Sequence, residues 1–319
     1  MHFVILGAGA LGTLLAGHLA RAGHRVQLVA RGARADRLAE EGLVICGLSN
    51  FHIAVEIVRE PATLAHADVF INTVKTYDSV AGLASLSALR PVMALSVQNG
   101  VVKEDELEAR FGRAAVIGTM ADFSGELTEQ GAVRFTRNIN LHLGERAGQQ
   151  TTRTDALAAA VHSAGINARA VDNIESIIWS KYVGWLGLML LAVLTRRYTG
   201  EFLQDPDVAR VVAQITRETA QLADSRQIPL LDISPMPASR LRTASEDEAT
   251  VLIQAVGVSM ATQAPTHRLS SLQDVLRGRP LEIEETVGYA WRAGSACGLS
   301  MPVLGTCYRI AAAINRGLQ

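Results

Sequence analysis

MHFVILGAGALGTLLAGHLARAGHRVQLVAR, residues 1–31, decides the fold of the first half of this chain. Phe3 to Leu6 is a short apolar run of strand type. Gly7-Ala8-Gly9-Ala10-Leu11-Gly12 follows as G-x-G-x-x-G, and a helical pattern then turns Leu14, Leu15, Leu19 and Ala20 inward. Gly23 punctuates, and Val26 to Val29 reads as a second strand. Set between a strand and a helix in a βαβ unit, the glycine motif has a mechanical reading. Gly7 permits a tight turn, Gly9 lets a pyrophosphate approach the backbone, and Gly12 lets helix pack close to strand. The N–H groups and positive dipole end of the helix then suit a diphosphate.

The end of the second strand bears on which dinucleotide is held. Units that bind NAD place Asp or Glu about 20 residues past the glycines, on the ribose 2′-hydroxyl. Here the place reads Val29-Ala30-Arg31-Gly32, and the first carboxylate is Asp36. A guanidinium binds a 2′-phosphate by paired charge-assisted hydrogen bonds, whereas a carboxylate repels it. Arg31 is therefore read as the residue that selects NADP(H), with Arg34 and Arg37 as helpers. The competing reading is a solvated arginine after a strand.

With 319 residues, two domains are expected. The chain is 49% apolar and 19% charged with net charge −1, an ordinary globular balance that argues against nucleic-acid or membrane partners. Cys46, Cys297 and Cys307 have no C-x-x-C spacing, which suits reduced thiols and a cytoplasmic location. The opening apolar run is already used as a strand, so no signal peptide is expected. The uncharged run Tyr182 to Thr195 is too short to span a bilayer and reads as a buried helix. The eight histidines lie scattered without ligand spacing, so no metal site is expected.

Strand and helix signals alternate along the rest of the first half. Gly42 to Ile45 and Phe51 to Val55 look like a hairpin. Asp68 to Val74 is a buried strand ending at Lys75, and Val92 to Val97 another ending at Gln98-Asn99-Gly100. Doubly wound sheets bind ligands at strand ends, so Lys75 and Asn99 are candidates for the cofactor site; a solvated lysine and a plain turn are the alternatives. Val116 to Met120, Ala132 to Thr136 and Asn140 to Leu143 are expected to extend the same sheet, and a strand at Ala168 to Val171 to close the first domain. The α/β pattern, an N-terminal Rossmann-type doubly wound sheet, thus covers residues 1–171.

Residues 172–319 read as a second, all-helical domain. Asp172 with Glu175 resembles an N-cap pair. Helices are expected at about 206–226, 237–262, 282–297 and 302–315, with Pro229, Pro235, Pro265 and Pro280 between them. In Ile177-Ile178-Trp179-Ser180-Lys181-Tyr182, Lys181 shares a helix face with Ile178, Trp185 and Met189. It is a candidate catalytic group or a lysine snorkelling from a helix end. Polar residues also gather at Ser270-Ser271-Leu272-Gln273-Asp274 and Gly278-Arg279-Pro280-Leu281-Glu282-Ile283-Glu284, where helix capping is the alternative.

The N-terminal G-A-G-A-L-G with Arg31, V-K-T-Y-D at 74–78, Q-N-G-V at 98–101, I-W-S-K at 178–181, S-S-L-Q-D at 270–274 and G-R-P-L-E-I-E at 278–284 together resemble ketopantoate reductase. The resemblance implies an NADP-binding Rossmann domain joined to a helical domain, with 2-dehydropantoate reduced to pantoate in the cytoplasm, on the pantothenate pathway. It implies that Lys181 is the catalytic lysine and that Glu282 contacts cofactor and positions that lysine. Lys75 and Asn99 fall at the cofactor and substrate cleft, Ser270 at a substrate-binding serine (with Ser271 one residue out of register), and Ser124 near a backbone contact to NADP. Where the family has Asn four and eight residues after its lysine, both touching substrate, this chain has Trp185 and Met189.

The chemistry expected is transfer of hydride to the carbonyl carbon of a 2-oxo acid while an ammonium stabilises the oxygen and delivers the proton. Burial would lower the lysine pKa and Glu282 would raise it. Trp185 and Met189 shift the expected substrate toward a more apolar 2-oxo acid, or else simply pack in the helical core. A non-catalytic NADP-binding sensor is the third reading, disfavoured by the presence of both Lys181 and Glu282. The assembly is left open, a homodimer included.

Overall fold

The structure, a computed structural model, describes residues 1–233 and 236–318. Pro235, one of the expected breaks, lies outside the described residues. The chain divides into two compact units, Met1–Glu175 and Ser176–Gln319.

In the first unit the elements are β1 (His2–Leu6), α1 (Ala10–Arg21), β2 (Arg25–Val29), α2 (Gly32–Glu41), β3 (Leu43–Gly47), β4 (Phe51–Ile53), β5 (Glu56–Val58), β6 (His66–Asn72), α3 (Ser79–Ser85), β7 (Arg90–Ser96) and α4 (Lys103–Phe111), followed by β8 (Ile117–Leu127), β9 (Val133–Glu145), α5 (Thr152–Ser163) and β10 (Ala168–Ala170). Strands β5-β2-β1-β6-β7 form a parallel sheet. The chain leaves β1 for β2 on one side and returns as β6 on the other. The order reverses at the carboxyl ends of β1 and β6, where sheets of this kind open a crevice.

Apart from one parallel bridge between Val116 and Ala94 of β7, the segments 116–120, 132–136 and 140–143, expected in that sheet, do not extend it. They belong to β8 and β9, an antiparallel pair in a second sheet of order β10-β9-β3-β4. The 13-residue β9 is long enough for one edge to serve two partners, β3 along Val133–Phe135 and β10 along Leu141–Leu143. The expected hairpin is present as β3 and β4, with Leu43 opposite Ile53, and β5 then joins the first sheet beside β2. Helix α1 is buried from Gly12 to Leu19 because apolar residues of both sheets meet it. Leu14, Leu15 and Leu19 share one core cluster with Phe3 and Ile5 from one sheet and Ile45, Phe135 and Leu143 from the other.

In the second unit the regular elements among the described residues are helices, α6 (Ile174–Thr195, which begins at the end of the first unit), α7 (Thr199–Gln204), α8 (Pro206–Ser225), α9 (Ala238–Thr243), α10 (Glu246–Gln263), α11 (Ser270–Leu276), α12 (Tyr289–Ala296) and α13 (Pro302–Arg316), with a π turn at Glu284–Gly288 and one antiparallel bridge between Asp232 and Pro237. Helix α6 starts at Ile174, two residues after Asp172, so a cap at Asp172 does not fit. By length and composition its 22 residues could cross a membrane, unlike the shorter run read from sequence, but 89% of its most apolar window is buried inside the protein. It is packed as a core helix: Gly184 abuts Met236, Gly187 abuts Val212, and Ser180 Oγ accepts from Leu231 N at 2.7 Å. The long helix expected over 237–262 is two helices. Ser245 interrupts it by accepting from Glu248 N at 3.3 Å while the Glu248 carboxylate accepts from Ser245 N at 2.9 Å, a reciprocal cap that starts α10 afresh.

Candidate active site

The glycine loop is built by close approach. Gly7 adopts φ +107°, which favours glycine, and its N–H donates to Val29 O at 3.2 Å. Thr73 Oγ1 lies 2.9 Å from Leu6 O and 2.8 Å from Gly7 O, tying the loop to the end of β6. A Cβ on Gly12 would stand 2.0 Å from Gly7 O, so glycine is obligatory there. A Cβ on Gly9 would meet nothing within 4 Å. The backbone above Gly9 is therefore open, and Gly9 is the N-cap of α1 with no side chain capping it and no acidic residue in the first turn. Ala10 and Leu11 complete the loop and first turn. An open face, uncapped donors and the positive end of a 12-residue helix fit the diphosphate of a dinucleotide.

The three arginines of the Arg31–Arg37 stretch have separate surroundings. Arg34 donates from Nε to Ala8 O at 3.2 Å, from Nη2 to Thr13 Oγ1 at 3.3 Å and from Nη1 to Gly131 O at 2.7 Å. It braces the glycine loop against the turn between β8 and β9. Arg37 donates to Glu41 at 2.7 Å. Arg31, directly after β2, has a side chain 88% exposed, with Nη2 3.2 Å from Asp78 Oδ2. Only Arg31 of the three presents a largely exposed guanidinium at the tip of β2.

Lys75 and Asn99 follow the ends of β6 and β7, and both are half-buried. Beneath them lies a polar network that the sequence reading missed. Asn72 Nδ2 donates to Ser79 Oγ at 3.0 Å and to Gln98 Oε1 at 3.2 Å; Ser96 Oγ donates to Gln98 Oε1 at 2.8 Å, and Gln98 Nε2 to Val74 O at 2.9 Å. Asn72, Ser79, Ser96 and Gln98 are all buried, so these satisfied bonds fix the two loops that carry Lys75 and Asn99. Ser124 sits on β8, its Oγ 3.0 Å from Thr136 Oγ1, next to Gly125, which packs against Leu14 of α1.

In the second unit α6 gathers most of the other candidates. From Ile177 to Val193 every residue is buried except Lys181, which is half-buried. Trp185 is 8% exposed and Met189 2%. Met189 Sδ accepts from Thr286 Oγ1 at 3.5 Å and its carbonyl from Ser271 Oγ at 3.4 Å, while Tyr182 Oη donates to Thr286 O at 2.7 Å. Thr286 Oγ1 also donates to the carbonyl of Glu282, which is half-buried just before the π turn. The Lys181 helix thus packs on both polar segments picked out by sequence. Of the serine pair, Ser271 is buried on Met189 and Ser270 is exposed.

A further signal lies in composition. Lysine occurs three times among 30 basic residues, at Lys75, Lys103 and Lys181. In a chain that otherwise uses arginine, each lysine marks a place for a compact ammonium rather than a planar fork. Lys103 is buried and paired with Glu104, whose Oε1 also accepts from Thr119 N at 3.2 Å. Burial pushes the Glu104 carboxyl above the usual range, against the pull of Lys103.

Comparison with known proteins agrees with both units. Residues 3–148 match the sequence model of the family described as ketopantoate reductase PanE/ApbA, and residues 173–315 match that of its C-terminal domain. A 2-dehydropantoate 2-reductase of Archaeoglobus fulgidus is 29% identical over 317 residues, 98% of each chain. Among solved structures, a PanE/ApbA family ketopantoate reductase from Ralstonia eutropha superposes with TM-score 0.85 at 25% identity, covering 100% of both chains. D-mandelate dehydrogenase with NADH and anilino(oxo)acetate also superposes with TM-score 0.85, at 20% identity and 100% and 99% coverage, a likeness of fold. With a glycine cradle in one unit, a lysine on a buried helix in the other, and family matches over both, this chain belongs to the ketopantoate reductase family of oxidoreductases.

Proposed function

We propose that this chain is an NADPH-dependent reductase that converts 2-dehydropantoate to pantoate, in the cytoplasm, as a step of pantothenate biosynthesis. The observation that carries the reading is Lys181, the one residue from Ile177 to Val193 of α6 that is not buried. A lysine kept partly open on an otherwise sealed helix suits an acid that must meet substrate. The glycine loop, Gly7 to Gly12, would hold the diphosphate and Arg31 the 2′-phosphate, with Lys75, Asn99, Ser124 and Glu282 completing the cofactor's surroundings. When bound, the reduced nicotinamide supplies hydride. Lys181 stabilises negative charge on the substrate oxygen and donates the proton, and the Glu282 carboxylate holds Lys181 charged and oriented. Asn99 and Ser270 would bind the acid.

The test is NADPH oxidation with 2-dehydropantoate in the wild type and in Lys181→Ala. Turnover should fall roughly 10²–10⁴-fold in the variant, the range for a positioned acid, with NADPH affinity nearly unchanged. Near-normal turnover would identify Lys181 as a snorkelling lysine. Tight NADPH binding by a wild type inert toward every carbonyl tried would favour the sensor.

A second reading is a reductase of a bulkier, more apolar 2-oxo acid, favoured by Trp185 and Met189 on the Lys181 face. Indole and thioether offer apolar surface where asparagines would pair with a polar acid, and a site lacking such donors loses discrimination for polar substrates. The solved D-mandelate dehydrogenase, which holds anilino(oxo)acetate, is a precedent for an aromatic 2-oxo acid on this fold. Burial of Met189 weighs the other way, toward a packing role. Replacing both residues by Asn should raise kcat/KM for 2-dehydropantoate and lower it for phenylglyoxylate. A wild type that already prefers 2-dehydropantoate excludes this reading.

A further inference from the structure

We infer that Asp78 sets how strongly the protein prefers one nicotinamide dinucleotide over the other. It would compete with a ribose 2′-phosphate for Arg31 and offer an acceptor to a ribose 2′-hydroxyl. This rests on the reading that Arg31 meets the 2′-oxygen of the adenosine ribose. The carboxylate that an NAD-binding unit carries at the end of its second strand is absent here, and Arg31 stands in that place. Asp78 brings a carboxylate back to the same spot from the loop after β6, with Oδ2 3.2 Å from Arg31 Nη2.

Two observations set this pair apart from an ordinary structural contact. Asp78 is the residue before α3, where an aspartate commonly caps the helix by accepting from its first N–H groups. It makes no such side-chain bond; the carboxylate is turned to Arg31 instead. The pair is also open to solvent, with side chains 88% and 42% exposed, and ion pairs of that kind contribute little to stability. Its position, one partner from each of two strand ends beside β1, gives it a reason that stability does not.

The consequences follow from charge. A phosphate monoester carries about −1.5 to −2 near pH 7. On Arg31 it would share one guanidinium with Asp78, the two anions roughly 5–6 Å apart, and across water-like surroundings with partial salt screening that repulsion costs about three- to tenfold in affinity. A ribose hydroxyl is neutral and can donate to the carboxylate, so NADH escapes the cost and gains a charge-assisted bond.

The experiment measures equilibrium dissociation constants of NADPH and NADH, by nucleotide fluorescence, for wild type, Asp78→Asn, Asp78→Ala and Arg31→Ala. Asp78→Asn should tighten NADPH about three- to tenfold at low salt, less at high salt, and weaken NADH by only about twofold, since the amide oxygen still accepts but carries no charge. Asp78→Ala should tighten NADPH likewise and weaken NADH. Thermal melting should be the same for all four proteins, because both side chains are exposed. If Arg31→Ala weakens NADPH while Asp78→Asn leaves the NADPH-to-NADH ratio unchanged or lower, the inference about Asp78 is overturned alone. If Arg31→Ala leaves NADPH unchanged, the reading of Arg31 and the inference fall together.

Discussion

Alanine at Gly9 and alanine at Gly12 should have opposite consequences, although the two residues belong to one motif. At Gly12 the added Cβ would lie 2.0 Å from Gly7 O and 2.5 Å from Thr73 Oγ1, where real contacts begin above 3.0 Å. Relief requires α1 and the turn after β1 to part by roughly 1 Å, against a helix already wedged between two sheets. The nearest obstacle is backbone, so the upper end of the overpacking range applies, about 3 kcal/mol. For a unit of this size that is a fall in Tm of roughly 6–12 °C. At Gly9 the backbone is extended in ψ with φ −74°, and the Cβ meets nothing, so alanine costs at most about 1 kcal/mol as a poorer N-cap. That same methyl fills the open face where the diphosphate would approach the helix N–H groups, and NADPH affinity should fall at least about tenfold. The assay pairs thermal melting of the full chain with fluorescence titration of NADPH for each variant. A Gly12→Ala protein with wild-type Tm, or a Gly9→Ala protein with wild-type affinity, would refute the reasoning.

Arg34→Met should weaken NADPH and NADH by the same factor, about tenfold, because its three bonds brace the loop rather than read the ribose; a changed NADPH-to-NADH preference would contradict this. His142 on β9 is 5% exposed, neither ring nitrogen has a hydrogen-bond partner among the described residues, and burial, helped by Arg169, lowers its pKa to about 4. The folded pKa lies below the unfolded value near 6.5, so the unfolded chain binds the extra proton between them. Stability is therefore full above about pH 6.5 and falls by about 3 kcal/mol as pH drops to about 4. His142→Phe should flatten that part of the profile in urea unfolding at pH 7.5, 5.5 and 4.5, and parallel profiles for the two proteins would count against the burial argument.

The opening βαβ unit was legible almost to the residue, because Gly7 and Gly12 answer local steric demands and Gly9 leaves the start of α1 open. The second sheet was not. Period-2 alternation marks 132–136 and 140–143 as strand, but it is silent on the partner, and β9 finds β3 nearly ninety positions earlier in the chain. The Asn72–Gln98 network was hidden for a related reason: a polar residue ending an apolar strand looks like the first residue of a loop, and only tertiary contact shows it bonded and buried. In the helical half, Lys181 could be picked out because a charge in so apolar a run is conspicuous. The serine pair could not be resolved, since one position on a helix turns the side chain about 100° and separates exposed Ser270 from buried Ser271. Ser245 carries its own break signal in Ser-x-x-Glu, which the expectation of one helix over 237–262 did not take up.

The apolar helix that displays Lys181 also imposes an order on biosynthesis. Its partners in the second unit, Val212, Met236, Ser271 and Thr286, all lie after it in the chain. At 5–20 residues per second, a ribosome needs roughly 5–18 s to pass from Thr195 to Thr286. During that interval a 22-residue segment, with an 18-residue window of mean hydropathy 1.8, has emerged with most of the surface it must bury still uncovered. A nascent chain in that condition is a natural client for a holding chaperone or a membrane-targeting factor, and faster translation of the stretch that follows would shorten its exposure.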